Sequence, residues 1–184
     1  AWLDLIGRKL IQSGELARMM AEDGIRGVTA NPAIFEKAIS ETNEYDEELK
    51  KLSGKPAMEV YEAVAVNDVR FACDVFRPMF EREKGSDGFV SLEVSPYIAK
   101  DTRATVEEAK RFWRTVGKPN LFIKIPGNPE GIPAIRQAIA AGISARTSAS
   151  KRSRSCRTRC IRVRSPAAAA AAAPKPAMPA TFSV

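Results

Sequence analysis

Asn120-Leu121-Phe122-Ile123-Lys124-Ile125-Pro126 is the stretch whose reading decides the fold. Residues 121–125 are apolar at every position except Lys124, and Pro119 and Pro126 bound them. A short apolar run with such boundaries reads as a strand covered on both faces, the environment of a parallel sheet. A helix precedes it over residues 102–116, with Thr102 as N-cap and a mixed-charge outer face. Another follows over residues 129–141 and is stopped by Gly142.

The same unit repeats upstream. Residues 2–6 and 25–29 read as strands. Ala30-Asn31-Pro32 ends the second, because a proline forces its predecessor out of helical geometry. Residues 89–94 form a third strand, closed by Ser95-Pro96. Between them, Ser13 caps a helix that runs to Glu22 and stops at Gly24. Shorter helices are expected over residues 33–39 and 43–52. The longest periodic segment, residues 57–82, sets Val64, Val69, Ala72, Phe76 and Met79 near one face, with Pro78 expected to kink or divide it. Strand then helix, four times over, implies an α/β fold whose parallel sheet has right-handed crossovers.

From Ser144 the pattern collapses. Residues 145–165 are almost wholly Arg, Ser, Thr, Ala and Cys, and seven alanines at 167–173 lead into a proline-containing end. The chain therefore divides into an ordered unit over residues 1–143 and a basic, Ala/Pro-rich tail over 144–184, expected to be disordered. A shifted reading frame is the favoured origin of the tail. Arg, Ser, Ala and Pro are what shifted GC-rich codons encode, and the break falls where another strand is due.

The net charge of +7 belongs to that tail. Nine of the 29 Lys and Arg lie beyond Ser144, leaving 20 against 22 acidic residues in the rest, which is mildly acidic. The tail would attract polyanions, yet no aromatic residue lies between 146 and 164 to stack bases, so a specific nucleic-acid partner is not expected. The chain has no histidine, which excludes His-based nucleophilic triads and most His-containing zinc sites. Acid–base chemistry must rest on carboxylates, Lys, Tyr or Cys. Three unevenly placed cysteines argue against a disulfide framework and for a reducing cytoplasm. Cys73 falls on an apolar helix face, and Cys156 and Cys160 lack a second ligand pair, so no metal site is expected. No run of ~18 apolar residues suggests a membrane span, and no basic-then-apolar leader is visible. At 184 residues starting from Ala1, the chain is short of the ~250 residues of a complete eightfold barrel and reads as a fragment.

Four polar residues interrupt or end the apolar strands: Asp4, Asn31, Glu93 and Lys124. In a β/α barrel, reactive groups stand at the C-terminal ends of different strands. A lysine inside an apolar strand is the sharpest of these, because burying an ammonium is costly unless it is paired or deprotonated. A neutral lysine amine attacks a ketone to form a Schiff base, which then acts as an electron sink for carbon–carbon cleavage. Two carboxylates can shuttle a proton and activate a water. Asn31 can hydrogen-bond a substrate hydroxyl without adding charge. Each also has a structural reading: Lys124 at a sheet edge, Asp4 as a cap, Glu93 as a salt-bridge partner of Lys124, Asn31 as a turn residue before proline.

Trp2-Leu3-Asp4, the segment Gly27-Val28-Thr29-Ala30-Asn31-Pro32, Val90-Ser91-Leu92-Glu93-Val94-Ser95-Pro96 and the Ile-Lys-Ile-Pro of 123–126 together resemble transaldolases of the subfamily found in actinobacteria and cyanobacteria. The resemblance covers residues 1 to about 143. It implies the first four β/α units of a (β/α)8 TIM barrel. It implies Lys124 as the Schiff-base lysine, Asp4 as the proton-transfer aspartate and Glu93 as the glutamate that works with the catalytic water. Asn31 and Thr29 would face the substrate. The implied reaction of the pentose phosphate pathway moves a dihydroxyacetone unit between sugar phosphates, with no metal or organic cofactor. A related Schiff-base aldolase, a fusion to a sugar-phosphate isomerase and a non-enzymatic polyanion-binding module are the alternatives. Two departures stand out: Gly127-Asn128 replaces the family's Ala-Thr, and Ser144-Ala145-Arg146 stands where the family continues Asn-Val-Thr. With strands five to eight missing, a half barrel is expected to leave strand four unpaired and to self-associate through open edges.

Overall fold

The computed structural model describes residues 1–148 and 160–161. Its sheet runs in chain order, β1 (Trp2–Leu3), β2 (Gly27–Ala30), β3 (Phe89–Glu93), β4 (Leu121–Pro126), β5 (Ala145–Ser148) and β6 (Cys160–Ile161). Every pairing is parallel except the last, where β6 lies antiparallel to β5. The helices α1 (Arg8–Gln12), α2 (Glu15–Glu22), α3 (Pro32–Glu41), α4 (Asp46–Lys51), α5 (Ala57–Arg82), α6 (Thr102–Val116) and α7 (Gly131–Ala140) fill the crossovers. Sequential parallel strands with intervening helices are the opening of a β/α barrel, as expected.

Alternation sorts the strand residues onto two faces. Val28 and Ala30, Val90 and Leu92, and Leu121, Ile123 and Ile125 belong to the core shared with Val69, Ala72, Phe76, Val106 and Ala138 of the helices. The opposite, inner face carries Trp2, Phe89 and Phe122, whose rings contact in series: Phe89 stacks on Phe122 at 4.1 Å, and Trp2 lies 6.4 Å from Phe122. Gly27 makes room for this cluster, since a Cβ there would stand 2.7 Å from the Trp2 ring and from the Phe89 carbonyl. Cys73 is fully buried in the core, and burial pushes its thiol up to about 12.

The loop that follows β1 is tied down by a buried ion pair. Arg8 donates from Nε (3.0 Å) and Nη2 (2.7 Å) to Oδ1 of the fully buried Asp68 on α5, and Tyr45 donates its hydroxyl to Oδ2 at 2.7 Å. Arg8 also pairs with Glu48.

Several expectations are corrected. The strand pattern does not end at residue 143: Ala145–Ser148 forms β5, so β4 is not an edge, and Ile123 N–H donates to the Ser144 carbonyl at 2.9 Å. The first strand stops at Leu3 rather than at residue 6, and α1 forms over residues for which no element was expected. Helix α5 is not divided at Pro78, because packing of Phe76 and Met79 in the core holds both sides on the sheet. Asp101, not Thr102, caps α6 by accepting from Ala104 N–H, which frees the Thr102 hydroxyl to donate to the Glu130 carbonyl. The disorder expected of the tail falls, for residues 149–159 and 162–184, outside the described residues.

Candidate active site

The register of β3, β4 and β5 builds the site. Glu93 is the partner of Lys124, and Lys124 of Arg146, so the three side chains stand side by side on the inner face near the C-terminal ends of their strands. Lys124 Nζ lies 3.0 Å from Glu93 Oε2, and both side chains are 19% exposed. The ion pair that sequence reasoning left open is present. It holds a carboxylate where it can take the proton that the ammonium must lose before the amine attacks a carbonyl.

Thr29 and Ser91 are partners one step nearer the N-terminal ends. Their hydroxyls are buried without a hydrogen-bond partner. Asn31 follows β2 in extended geometry and caps α3, its Oδ1 accepting from Ile34 N–H at 3.1 Å. The turn reading and the substrate-facing reading are thus compatible: Oδ1 is committed, and among the described residues Nδ2 has no protein acceptor.

Asn31 and Glu93 line a cavity of about 520 Å³ together with Tyr61, Glu62, Ser95, Tyr97 and Glu108. That is the volume range of small-ligand sites, ~300–1,000 Å³. Its polar lining is largely spoken for: Glu62 pairs with Arg111, and Glu108 accepts Ser95 N–H at 2.6 Å. Tyr61 adds a buried hydroxyl that has no partner. Burial, reinforced by the nearby charges of Glu93, Glu108 and Glu62, raises its phenol well above the usual tyrosine range, so the hydroxyl keeps a proton to donate.

Asp4 is not brought into that cavity. It follows β1 on the inner-face side of the alternation but is exposed, and it lines a second cavity of about 560 Å³ with Ile6, Leu10, Ile34 and Lys37. The four strand-end residues therefore share a face, but only Glu93 and Lys124 are in contact. Sequence reasoning missed Tyr61, which the helical pattern of α5 hides among apolar neighbours. It also missed Arg146, because no apolar run marks β5.

Parallel β/α units here set a half-buried lysine against a carboxylate at their strand ends, the place where β/α barrels carry their reactive groups. The family model for transaldolase/fructose-6-phosphate aldolase matches residues 1–147. Among curated relatives, transaldolases of Trichodesmium erythraeum and Thermobifida fusca are each 48% identical to this chain over 145 residues. That of Thiobacillus denitrificans is 47% identical over the same length. The aligned part is 78% of this chain but 38%, 39% and 40% of those relatives respectively, so the chain spans about two fifths of the proteins it matches. The chain belongs to the transaldolase/fructose-6-phosphate aldolase family. Among the described residues, no helix is long and apolar enough to cross a membrane.

Proposed function

We propose that these residues are the Schiff-base half of a transaldolase, which transfers a three-carbon dihydroxyacetone unit from a ketose phosphate to an aldose phosphate. The 3.0 Å pair of Lys124 and Glu93 on the inner face carries the reading. Glu93 takes a proton from the Lys124 ammonium, and the neutral amine adds to the ketose C2 carbonyl. Loss of water, assisted by Glu93 and its associated water, leaves the iminium. Asp4 removes the proton of the C4 hydroxyl, and the C3–C4 bond breaks. Its electron pair passes into the iminium to give an enamine, and the shortened aldose phosphate leaves. The enamine then attacks the incoming aldehyde, Asp4 returns the proton, and water releases the product from Lys124. The iminium formed on Lys124 is itself the electron sink, so no metal or organic cofactor enters this scheme. Thr29 and Asn31 bind sugar hydroxyls. The substrates are sugar phosphates, and the cytoplasm is where we place the reaction.

A chimera tests this. Residues 1–147 are joined to the remaining length of the Trichodesmium erythraeum transaldolase and assayed for transfer from fructose 6-phosphate to erythrose 4-phosphate. Transfer that disappears in Lys124→Arg, which keeps the charge beside Glu93, is the expected result. A folded chimera whose transfer survives Lys124→Arg contradicts the proposal.

A further inference from the structure

Tyr61 has a buried hydroxyl for which the folded chain supplies no partner. Buried polar groups nearly always have one, from protein or from ordered water. The ring packs edge-on against the fully buried Phe35, with 6.0 Å between centroids, and this contact fixes where the hydroxyl sits. Tyr61 lines the same cavity of about 520 Å³ as Glu93. That space accommodates water readily, since one molecule takes up ~30 Å³.

Four carboxylates line the cavity: Glu36 from α3, Glu62 from α5, Glu93 from β3 and Glu108 from α6. Arg111 donates to both oxygens of Glu62. Glu108 accepts Ser95 N–H on Oε1 at 2.6 Å and faces Arg111 with Oε2 at 3.5 Å. Glu36 is exposed on α3. Glu93 meets Lys124 through Oε2, which leaves Oε1. Burial comes first among the causes that raise the Tyr61 phenol, and the charge of Glu93 comes second, ahead of Glu108 and Glu62. Glu93 is therefore both the carboxylate that Tyr61 feels most and the one with an oxygen to spare.

We propose that Tyr61 is a positioning residue for the Glu93–Lys124 pair: its hydroxyl donates to a water in the shared cavity, and that water donates to Glu93 Oε1. Water-bridged hydrogen bonds are nearly as favourable as direct ones. The bridge holds the carboxylate against Lys124 and favours its ionised form, the one that takes the ammonium proton. Its effect on catalysis rests on the role given to Glu93 in the proposed reaction, whereas the bridge itself is geometry and is tested separately.

A crystal structure of the 184-residue chain tests the bridge without imine chemistry. A water within hydrogen-bond distance of both Tyr61 Oη and Glu93 Oε1 is expected. A Tyr61 hydroxyl bonded instead to Glu62, to Glu108 or to a water that does not reach Glu93 overturns the proposal. The effect on catalysis is read as a pH profile. The chain is incubated with dihydroxyacetone and cyanoborohydride, and the rate of adduct formation at Lys124 is followed by peptide mass spectrometry. A donor favours the ionised carboxylate, so its loss in Tyr61→Phe, which keeps the ring against Phe35, moves the acid limb of the profile to higher pH by about 0.5–1 pH unit. Tyr45→Phe also removes a buried hydroxyl but should leave the limb in place, which separates positioning from a general loss of packing. A Tyr61→Phe profile that overlays the parent's, or an equal displacement in Tyr45→Phe, overturns the proposal. No adduct at Lys124 in the parent contradicts the reading of Lys124 as nucleophile, and the crystal structure alone then decides the bridge.

Discussion

Asp68→Ala removes the acceptor around which the loop after β1 is organised. The fully buried carboxylate takes two hydrogen bonds from Arg8 and one from Tyr45. Without it, the Arg8 guanidinium, whose side chain is 13% exposed, keeps only Glu48, and the Tyr45 hydroxyl loses its acceptor. Removing one partner of a buried ion pair costs about 3–5 kcal/mol. The surviving contact with Glu48 puts this case at the lower end, near ~3 kcal/mol. For a chain of this size that lowers the midpoint of thermal unfolding by about 6–12 °C, a large part of a typical stability of ~5–15 kcal/mol. Tyr45→Phe removes one donor to the carboxylate and the acceptor of Arg8 N–H but leaves the ion pair, and should cost about 1.5–3 kcal/mol. Urea unfolding followed by far-ultraviolet circular dichroism measures both. A loss below about 1 kcal/mol for Asp68→Ala would refute the reasoning, because it would mean that Arg8 and Tyr45 find other partners or water at no net cost.

Gly27→Ala should destabilise by about 1–3 kcal/mol through overpacking against the Trp2 ring and the Phe89 carbonyl, read as a fall in denaturation midpoint. Glu93→Gln should slow imine formation at Lys124 by about 10²–10⁴-fold, because the group positioned to take the ammonium proton is gone; the rate of borohydride-trapped adduct measures it. The 184-residue chain alone should transfer dihydroxyacetone at least about a hundredfold more slowly than the chimera. It spans about two fifths of its relatives, and binding energy from remote parts of the substrate is lost with the rest of the site. Equal rates in a coupled assay would contradict this.

The strands that can be read in the sequence are those whose apolar runs are buried on the helix side, such as Val90 and Leu92 or Ile123 and Ile125. The residues that interrupt them, Glu93 and Lys124, stand out for the same reason. What the runs do not encode is register. Glu93 facing Lys124 follows from parallel pairing of β3 with β4, and no local pattern distinguishes an ion pair there from two unrelated side chains. Strand β5 was hidden because only Ala145 of Ala145-Arg146-Thr147-Ser148 is apolar. Backbone pairing with β4, burial of Ala145 and the contact of Arg146 with Trp2 substitute for an apolar stripe. Asp4 was legible as a polar residue at a strand end, but its exposure depends on where β1 stops, which two ladder pairs decide.

The central claim is that Lys124 is the nucleophile, and imine trapping tests it most directly. The 184-residue chain is incubated with dihydroxyacetone, a ketone that requires no phosphate-binding group, and reduced with borohydride. Peptide mass spectrometry then locates the three-carbon adduct. The account predicts preferential labelling of Lys124, lost in Lys124→Arg and slowed in Glu93→Gln. An adduct spread evenly over the lysines, or concentrated on one other than Lys124, would contradict it.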